Sequence, residues 1–383
     1  MKIAQLKAVV VELPDSTAPR ARIVTVPGTE RYTHQWLPGA GPEHELYLRV
    51  VTDEGVEGVC TANVTPSHAS HPRLTPQLLD VLREQVIGDD PLRREELYQK
   101  LHRGTRWVYQ TPGWFGAFDN CLWDIAGKVA GLPVCRLLGQ VRDRIPAYHT
   151  GGDGDGEPAT YLKLFEEVRA RWGITAYKFH NYRGARQNVG LFRELRRQIG
   201  DDFGLINDPV CSYSLREAIE VGRVMEELGF VWLEEPFREQ ELRAYQELCA
   251  ALTIPVMATE MLMHDVDLCA QWLIAGATDL IRVNARNGTT AAMKLAHFAE
   301  LHGTTVELNA GGGLGNHLHV QLQCAIANTQ YFEHFAHHAE RTMEAGIANP
   351  VEVVDGHLSP SMSPGWGAEI DWDYVRTRTV QEY

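Results

Sequence analysis

At 383 residues the chain is too long for one ordinary core, and two domains are the default, a large barrel beside a smaller domain being one division. Apolar residues make up 44% and charged residues 22%, the profile of a globular protein in water, and no apolar run approaches the roughly 20 residues that span a bilayer. A net charge of −14 argues against nucleic acid or an anionic membrane as partner, yet leaves room for an anionic small molecule held by a local cluster of metal and cations.

The chain opens with MKIAQLKAVVVELPD, which lacks the long apolar core and small-residue cleavage site of a signal peptide and reads as a first strand. Residues 46–59, LYLRVVTDEGVEGV, alternate apolar and polar around TDEG and predict a hairpin, so a small antiparallel sheet is expected at the N-terminus. Between them, residues 16–44 are rich in Pro, Gly, Thr and His and read as a long loop, for example a lid. Tyr32, His34 and Trp36 in that loop are candidate substrate contacts or, equally, loop-packing groups, and Trp107 and Tyr109 share the ambiguity. Residues 74–139 have helical spacing, with Leu79, Val81, Leu82 and Val86, then Phe118, Leu122, Ile125, Ala126 and Val129, on apolar faces. Seven scattered cysteines without a CxxC pair point to reduced thiols in a cytoplasm, and against a disulfide framework or a cysteine zinc site.

From residue 145 short apolar strands alternate with amphipathic helices: IPAYH, GITAYKFH, FGLIND, FVWLEE, IPVMATE, DLIRVN, TTVELN and QYFEH. From the second of these on, polar residues close the strands at 180, 208, 234, 260, 284, 309 and 333, a step of 24 to 28 residues that holds one strand and one helix. Eight such units predict a closed parallel barrel with its active site at the C-terminal strand ends. An open doubly wound sheet is the alternative, disfavoured because no Gly-rich phosphate loop follows a strand.

Three successive strands end in carboxylates: Asp208, Glu234 and Glu260. Neighbouring barrel strand ends lie side by side, so three acids would repel and raise one another's pKa unless a cation joined them. All-oxygen ligation suits Mg²⁺, with Mn²⁺ as a possible substitute. Glu235 points to the opposite face and reads as a supporting or helix-side group. Lys178 and His180 share one strand face and form a titratable pair ahead of the acids. Glu333 would face the metal from across the mouth, either protonated and donating to a substrate oxygen or ionised and accepting from a hydroxyl. His334 and the His337–His338 pair read as surface residues, and His264 as a helix-start residue.

These strand-end residues, together with FDNCLWDIAGKVAGLPVCRLLG at 118–139, resemble the mandelate racemase-like branch of the enolase superfamily over nearly the whole chain. The resemblance implies an α/β fold: a modified (β/α)8 TIM-like barrel over residues 131–350, an α+β capping domain over 1–130 with its lid at 16–44, and a C-terminal segment, 351–383, returning to the cap. It also implies Mg²⁺ on Asp208, Glu234 and Glu260, and removal of a proton next to a carboxylate to give an enediolate. A metal stabilises that charge and a positioned base takes the proton. The family's usual KxK pair is Lys178 and His180 here, so His180 takes the base position while Lys178 would steady the substrate carboxylate or lower the imidazole pKa.

Opposite, the Asp–His dyad of many members is replaced by Asn284 and Asn309, Asp279 lying too early to substitute; Asn takes no proton at neutral pH. A racemase needs bases on both faces, so a one-base reaction is expected: syn dehydration of an aldonate or aldarate to a 2-keto-3-deoxy acid, with the Asn pair binding substrate hydroxyls. Cycloisomerisation or another one-base enolisation, and a non-catalytic metal- or sugar-acid-binding protein, are the alternatives. The partner expected is a small-molecule carboxylate, and by analogy a further copy of the chain in a cytoplasmic homo-oligomer.

Overall fold

The computed structural model describes every residue but 18–19, 38–41, 64–72, 152–155 and 311, and of residues 14–17, 20, 36 and 338 the backbone alone. The chain opens with strands β1 (Ile3–Thr17), β2 (Arg20–Thr25), β3 (Tyr32–Leu37), β4 (Pro42–Thr52) and β5 (Glu57–Asn63). The barrel strands are β6 (Ile145–Gly151), β7 (Ala176–His180), β8 (Gly204–Asp208), β9 (Leu233–Glu234), β10 (Val256–Ala258), β11 (Leu280–Val283), β12 (Val306–Leu308) and β13 (Phe332–His334). Two further strands, β14 (His357–Leu358) and β15 (Thr379–Glu382), complete the described set.

β15, β1, β4 and β5 form an antiparallel sheet in that order. Alternation decides its faces: Leu46, Leu48 and Val50 pack with Leu79, Leu82, Phe118 and Leu122 of the helices behind, while Tyr47 packs on the other side with Val375. The helix Pro76–Val86 starts where Thr75 accepts from the Leu78 amide ahead of Pro76, a cap followed by a pre-organised first turn.

The stretch read as a lid loop has regular structure. β2 and β3 pair as an antiparallel hairpin, Ile23 opposite His34 and Val24 opposite Thr33, with a turn closed by Val26 N–H to Arg31 C=O at 2.9 Å. The strands are polar enough to read as loop, yet pairing satisfies their backbone groups. The hairpin is tied to the loop after β8: Thr33 Oγ1 donates to Val210 C=O at 2.6 Å, and Arg31 pairs with Glu217 at 2.5 Å.

The barrel strands run parallel in the order β12-β11-β10-β9-β8-β7-β6-β13. Because β13 pairs with β6, Glu333 opposite Tyr148, the last strand returns to the first. An open doubly wound sheet is thereby excluded. Closure is one ladder short, between β12 and β13 among the described residues, and β14 lies antiparallel on β6. No helix among the described residues is long and apolar enough to cross a membrane.

The helix Gly116–Ala130 joins cap to barrel. Asn120 Nδ2 donates to Ala285 C=O at 2.8 Å, and Asp119 accepts from the Thr290 amide at 2.8 Å, at the start of the helix Thr289–Leu301. The approach is so close that a Cβ on Gly116 would lie 2.2 Å from Arg286 C=O. Gly116→Ala is therefore expected to lower the urea midpoint by an amount equivalent to about 1–3 kcal/mol. Gly104→Ala, in a helix with nothing within 4 Å of the new methyl, is the control and should gain up to about 1 kcal/mol.

Candidate active site

β7 carries the site's first pair. Tyr177 and Phe179 point outward into an aromatic layer with Phe165, Phe192 and Phe203, so Lys178 and His180 point into the barrel. Register sets His180 opposite Asp208 on β8, and Met257 of β10 opposite Glu234 of β9.

Lys178 is 1% exposed and lies at the centre of an acidic ring: its Nζ is 2.7 Å from Glu333 Oε1, 3.0 Å from Glu234 Oε1 and 3.6 Å from Asp208 Oδ2. Burial and Arg282 push its pKa down, but Glu234 and Glu333 outweigh them and hold it well above the usual value, so Lys178 is a fixed cation. Glu333 is fixed as its anion. Burial alone would raise it; Arg282 and Lys178 bring it down to about 2. Its oxygens accept from Lys178, from Arg282 at 2.8 Å and from the Ala310 amide at 2.6 Å. Of the two protonation states open in the sequence, this is the accepting one.

His180 Nδ1 lies 2.8 Å from Gly151 C=O, which can only accept, so that nitrogen carries the proton and Nε2 is the working atom. Nε2 lies 3.2 Å from Asp208 Oδ2, which also can only accept, so in this arrangement Nε2 carries a proton as well and becomes a base only once that proton and the Asp208 contact are given up. Burial and Lys178 lower the imidazole pKa, as expected of Lys178, but Asp208 reverses the direction and the net shift is upward.

Glu260 follows β10 on a short 3₁₀ turn, Glu260–Leu262, entered through Thr259 at φ 86°. Its carboxylate accepts from Asn309 Nδ2 at 3.0 Å and lies 3.4 Å from Arg282 Nε. Glu235 turns away from the ring at φ 41° and accepts from the Glu260 amide at 2.8 Å. Burial, Glu239 and Glu260 push the Glu235 carboxyl well above the carboxylate range.

Asn284 and Asn309 meet at the ends of the neighbouring strands β11 and β12, Asn284 Nδ2 to Asn309 Oδ1 at 3.3 Å. Since Asn309 also reaches Glu260, the pair is engaged with the acidic ring. His34 lies with its ring 5.7 Å from that of Tyr182, two residues past His180, while the Trp36 side chain falls outside the described residues. His264 is part-buried beyond the Glu260 turn. His334 corrects an expectation. It is 6% exposed, with Nδ1 3.1 Å from His149 Nδ1 and its ring against Trp172. It points out of the barrel, as alternation with Glu333 demands, but the helix Pro158–Trp172 covers it.

Arg282 was missed. It lies on β11 with no exposed side-chain surface, and its guanidinium reaches Glu333, Glu234 (3.2 Å), Glu260 and the Tyr148 hydroxyl (3.3 Å). Its place two residues before Asn284, on the same strand face, was the available signal.

Residues 160–374 match the enolase C-terminal domain-like family, and residues 41–139 the mandelate racemase/muconate lactonizing enzyme N-terminal domain. The chain belongs to the enolase superfamily. Among relatives of this superfamily member, the L-talarate/galactarate dehydratase of Salmonella typhimurium is 26% identical over 66% of this chain and 64% of its own, so the match spans a little under two thirds of that enzyme. The D-galactonate dehydratase of Cronobacter sakazakii is 27% identical over 88% of this chain and 92% of its own. In fold, the D-glucarate dehydratase from Agrobacterium tumefaciens, solved in complex with magnesium, superposes with a TM-score of 0.82 over the full length of both chains at 26% identity.

Proposed function

We propose that this superfamily member is a divalent-metal-dependent sugar-acid dehydratase acting on an aldonate or aldarate, with His180 as its single base. The observation that carries the reading is the asymmetry of the barrel mouth: a positioned imidazole on one side, and two Asn side chains, bonded to one another, on the other. In this reading Lys178 is not a second base, because Glu333, which is not offered to the metal, lies 2.7 Å from its Nζ and favours the charged form.

Asp208, Glu234 and Glu260 would hold Mg²⁺, or Mn²⁺ in its place. The donor set fits a hard cation: three carboxylates from adjacent strands. The charge fits as well. With His180 neutral, four carboxylates (Asp208, Glu234, Glu260, Glu333) stand against Lys178 and Arg282, leaving two negative charges. When bound, the metal supplies Lewis-acid stabilisation of charge developing on the substrate carboxylate. His180 Nε2 takes the proton from the carbon next to that carboxylate, Gly151 C=O holding the ring in the required tautomer. The imidazolium then returns that proton to the hydroxyl on the adjacent carbon, the C–O bond breaks, and water leaves. The remaining enol becomes the 2-keto-3-deoxy acid.

The test is incubation with Mg²⁺ and a panel of aldonic and aldaric acids in D₂O, followed by NMR and a keto-acid assay. A keto acid lighter by one water, with deuterium at C3 where the enol takes up a solvent proton, is expected. A product isomeric with the substrate, or exchange without water loss, would replace dehydration by cycloisomerisation or another enolisation. No exchange and no product anywhere in the panel would sink the catalytic reading.

A further inference from the structure

Arg282 has no part in the proton path just described, yet it is among the largest fully buried side chains of the protein. The strand holds it in place. Its amide donates to Thr259 Oγ1 at 3.1 Å, Thr259 Oγ1 returns a bond to its carbonyl, and Tyr148 lies beneath one arm of the guanidinium. From there the fork reaches two of the three carboxylates assigned to the metal, Glu234 and Glu260, and the non-ligand Glu333. A guanidinium keeps its charge in any protein environment and presents donors in a rigid plane, so it cannot yield by losing a proton.

The consequence shows in the ring itself. Among the described residues no three of His, Cys, Asp and Glu are gathered closely enough to grip a metal as they stand. Glu234 is drawn to Lys178 and Arg282, and Glu260 to Asn309 and Arg282. Glu260 is the less enclosed of the two: its side chain is 15% exposed, against 0% for Glu234, and it stands on a short 3₁₀ turn.

Resting on the metal reading of Asp208, Glu234 and Glu260, we propose that Arg282 is a built-in competitor for the divalent cation. It lends Glu234 and Glu260 a fixed positive partner, lets the acidic ring fold without metal, and makes the cation weakly held and exchangeable. Binding the metal turns Glu260 away from the guanidinium, and the nearby positive charge opposes the incoming cation at short range.

The experiment is Mn²⁺ titration by electron paramagnetic resonance, with Mg²⁺ as displacer, on wild type, Arg282→Lys, Arg282→Gln and the double variant Arg282→Gln/Glu333→Gln. The double variant removes one charge of each sign, which keeps a folded sample available if Arg282→Gln alone leaves too many acids unpaired. Arg282→Lys, which keeps the charge, should stay within about threefold of wild type. The two Gln variants should bind Mn²⁺ at least tenfold more tightly, and the metal should raise their melting temperature by more than it raises that of wild type. Equal or weaker binding by the Gln variants, with wild type still binding, overturns the role of Arg282 and leaves the metal site intact. No Mn²⁺ binding by any of the four proteins overturns the metal reading and this proposal with it.

Discussion

With His180 replaced by Asn, exchange of the α-proton of any acid that the wild type enolises is expected to fall by a factor of about 10² to 10⁴, the usual worth of a positioned general base. Asn can keep the bond to Gly151 C=O, but it offers nothing that takes a proton where Nε2 stood 3.2 Å from Asp208. The fold should barely notice, because His180 is only half-buried and ends its strand. A melting temperature within a few degrees of wild type, beside lost deuterium incorporation in NMR, is the paired result that supports the assignment. Exchange at the wild-type rate would move the base elsewhere, and His264, four residues past Glu260, would be replaced in turn.

Lys178 should behave in the opposite way. Lys178→Met leaves Glu234 and Glu333 buried with one cation fewer, and removing one partner of a buried ion pair costs about 3–5 kcal/mol. The measurement is the urea midpoint, read with Glu333→Gln and the double variant. Since Glu333 is Lys178's nearest partner at 2.7 Å, the double variant should be more stable than the sum of the two single losses predicts. A Lys178→Met protein within about 0.5 kcal/mol of wild type would mean that Arg282 alone carries the acids.

The eight barrel strands were legible because they obey one simple rule each. A strand buried on both faces must be a short apolar run, and its helix must follow within a fixed length, so the rhythm of 24 to 28 residues repeats. Asp208, Glu234 and Glu260 could be read for the same reason, each standing where an apolar run stops. Arg282 was hidden because it stands inside such a run, where a basic residue reads as an interruption and only its neutralisation by three distant acids makes it tolerable. The hairpin of β2 and β3 was hidden for another reason: its strands alternate weakly, and what holds them is pairing with each other and docking on Val210 and Glu217, contacts to residues far along the chain. His334 shows the same limit, since nothing local says that Trp172 will cover it.

The capping sheet places residues far apart in the chain side by side: Val9 opposite Glu382, and Ala8 exchanging backbone bonds with Tyr383. In synthesis β1 is made before the whole barrel and β15 after it. Until β15 is made, one edge of β1 stays bare, an open template for a neighbouring nascent chain on the same message. The barrel can close before the cap does, so slow elongation near residue 379 would prolong the interval in which the molecule has its acidic ring assembled and its first sheet still unfinished.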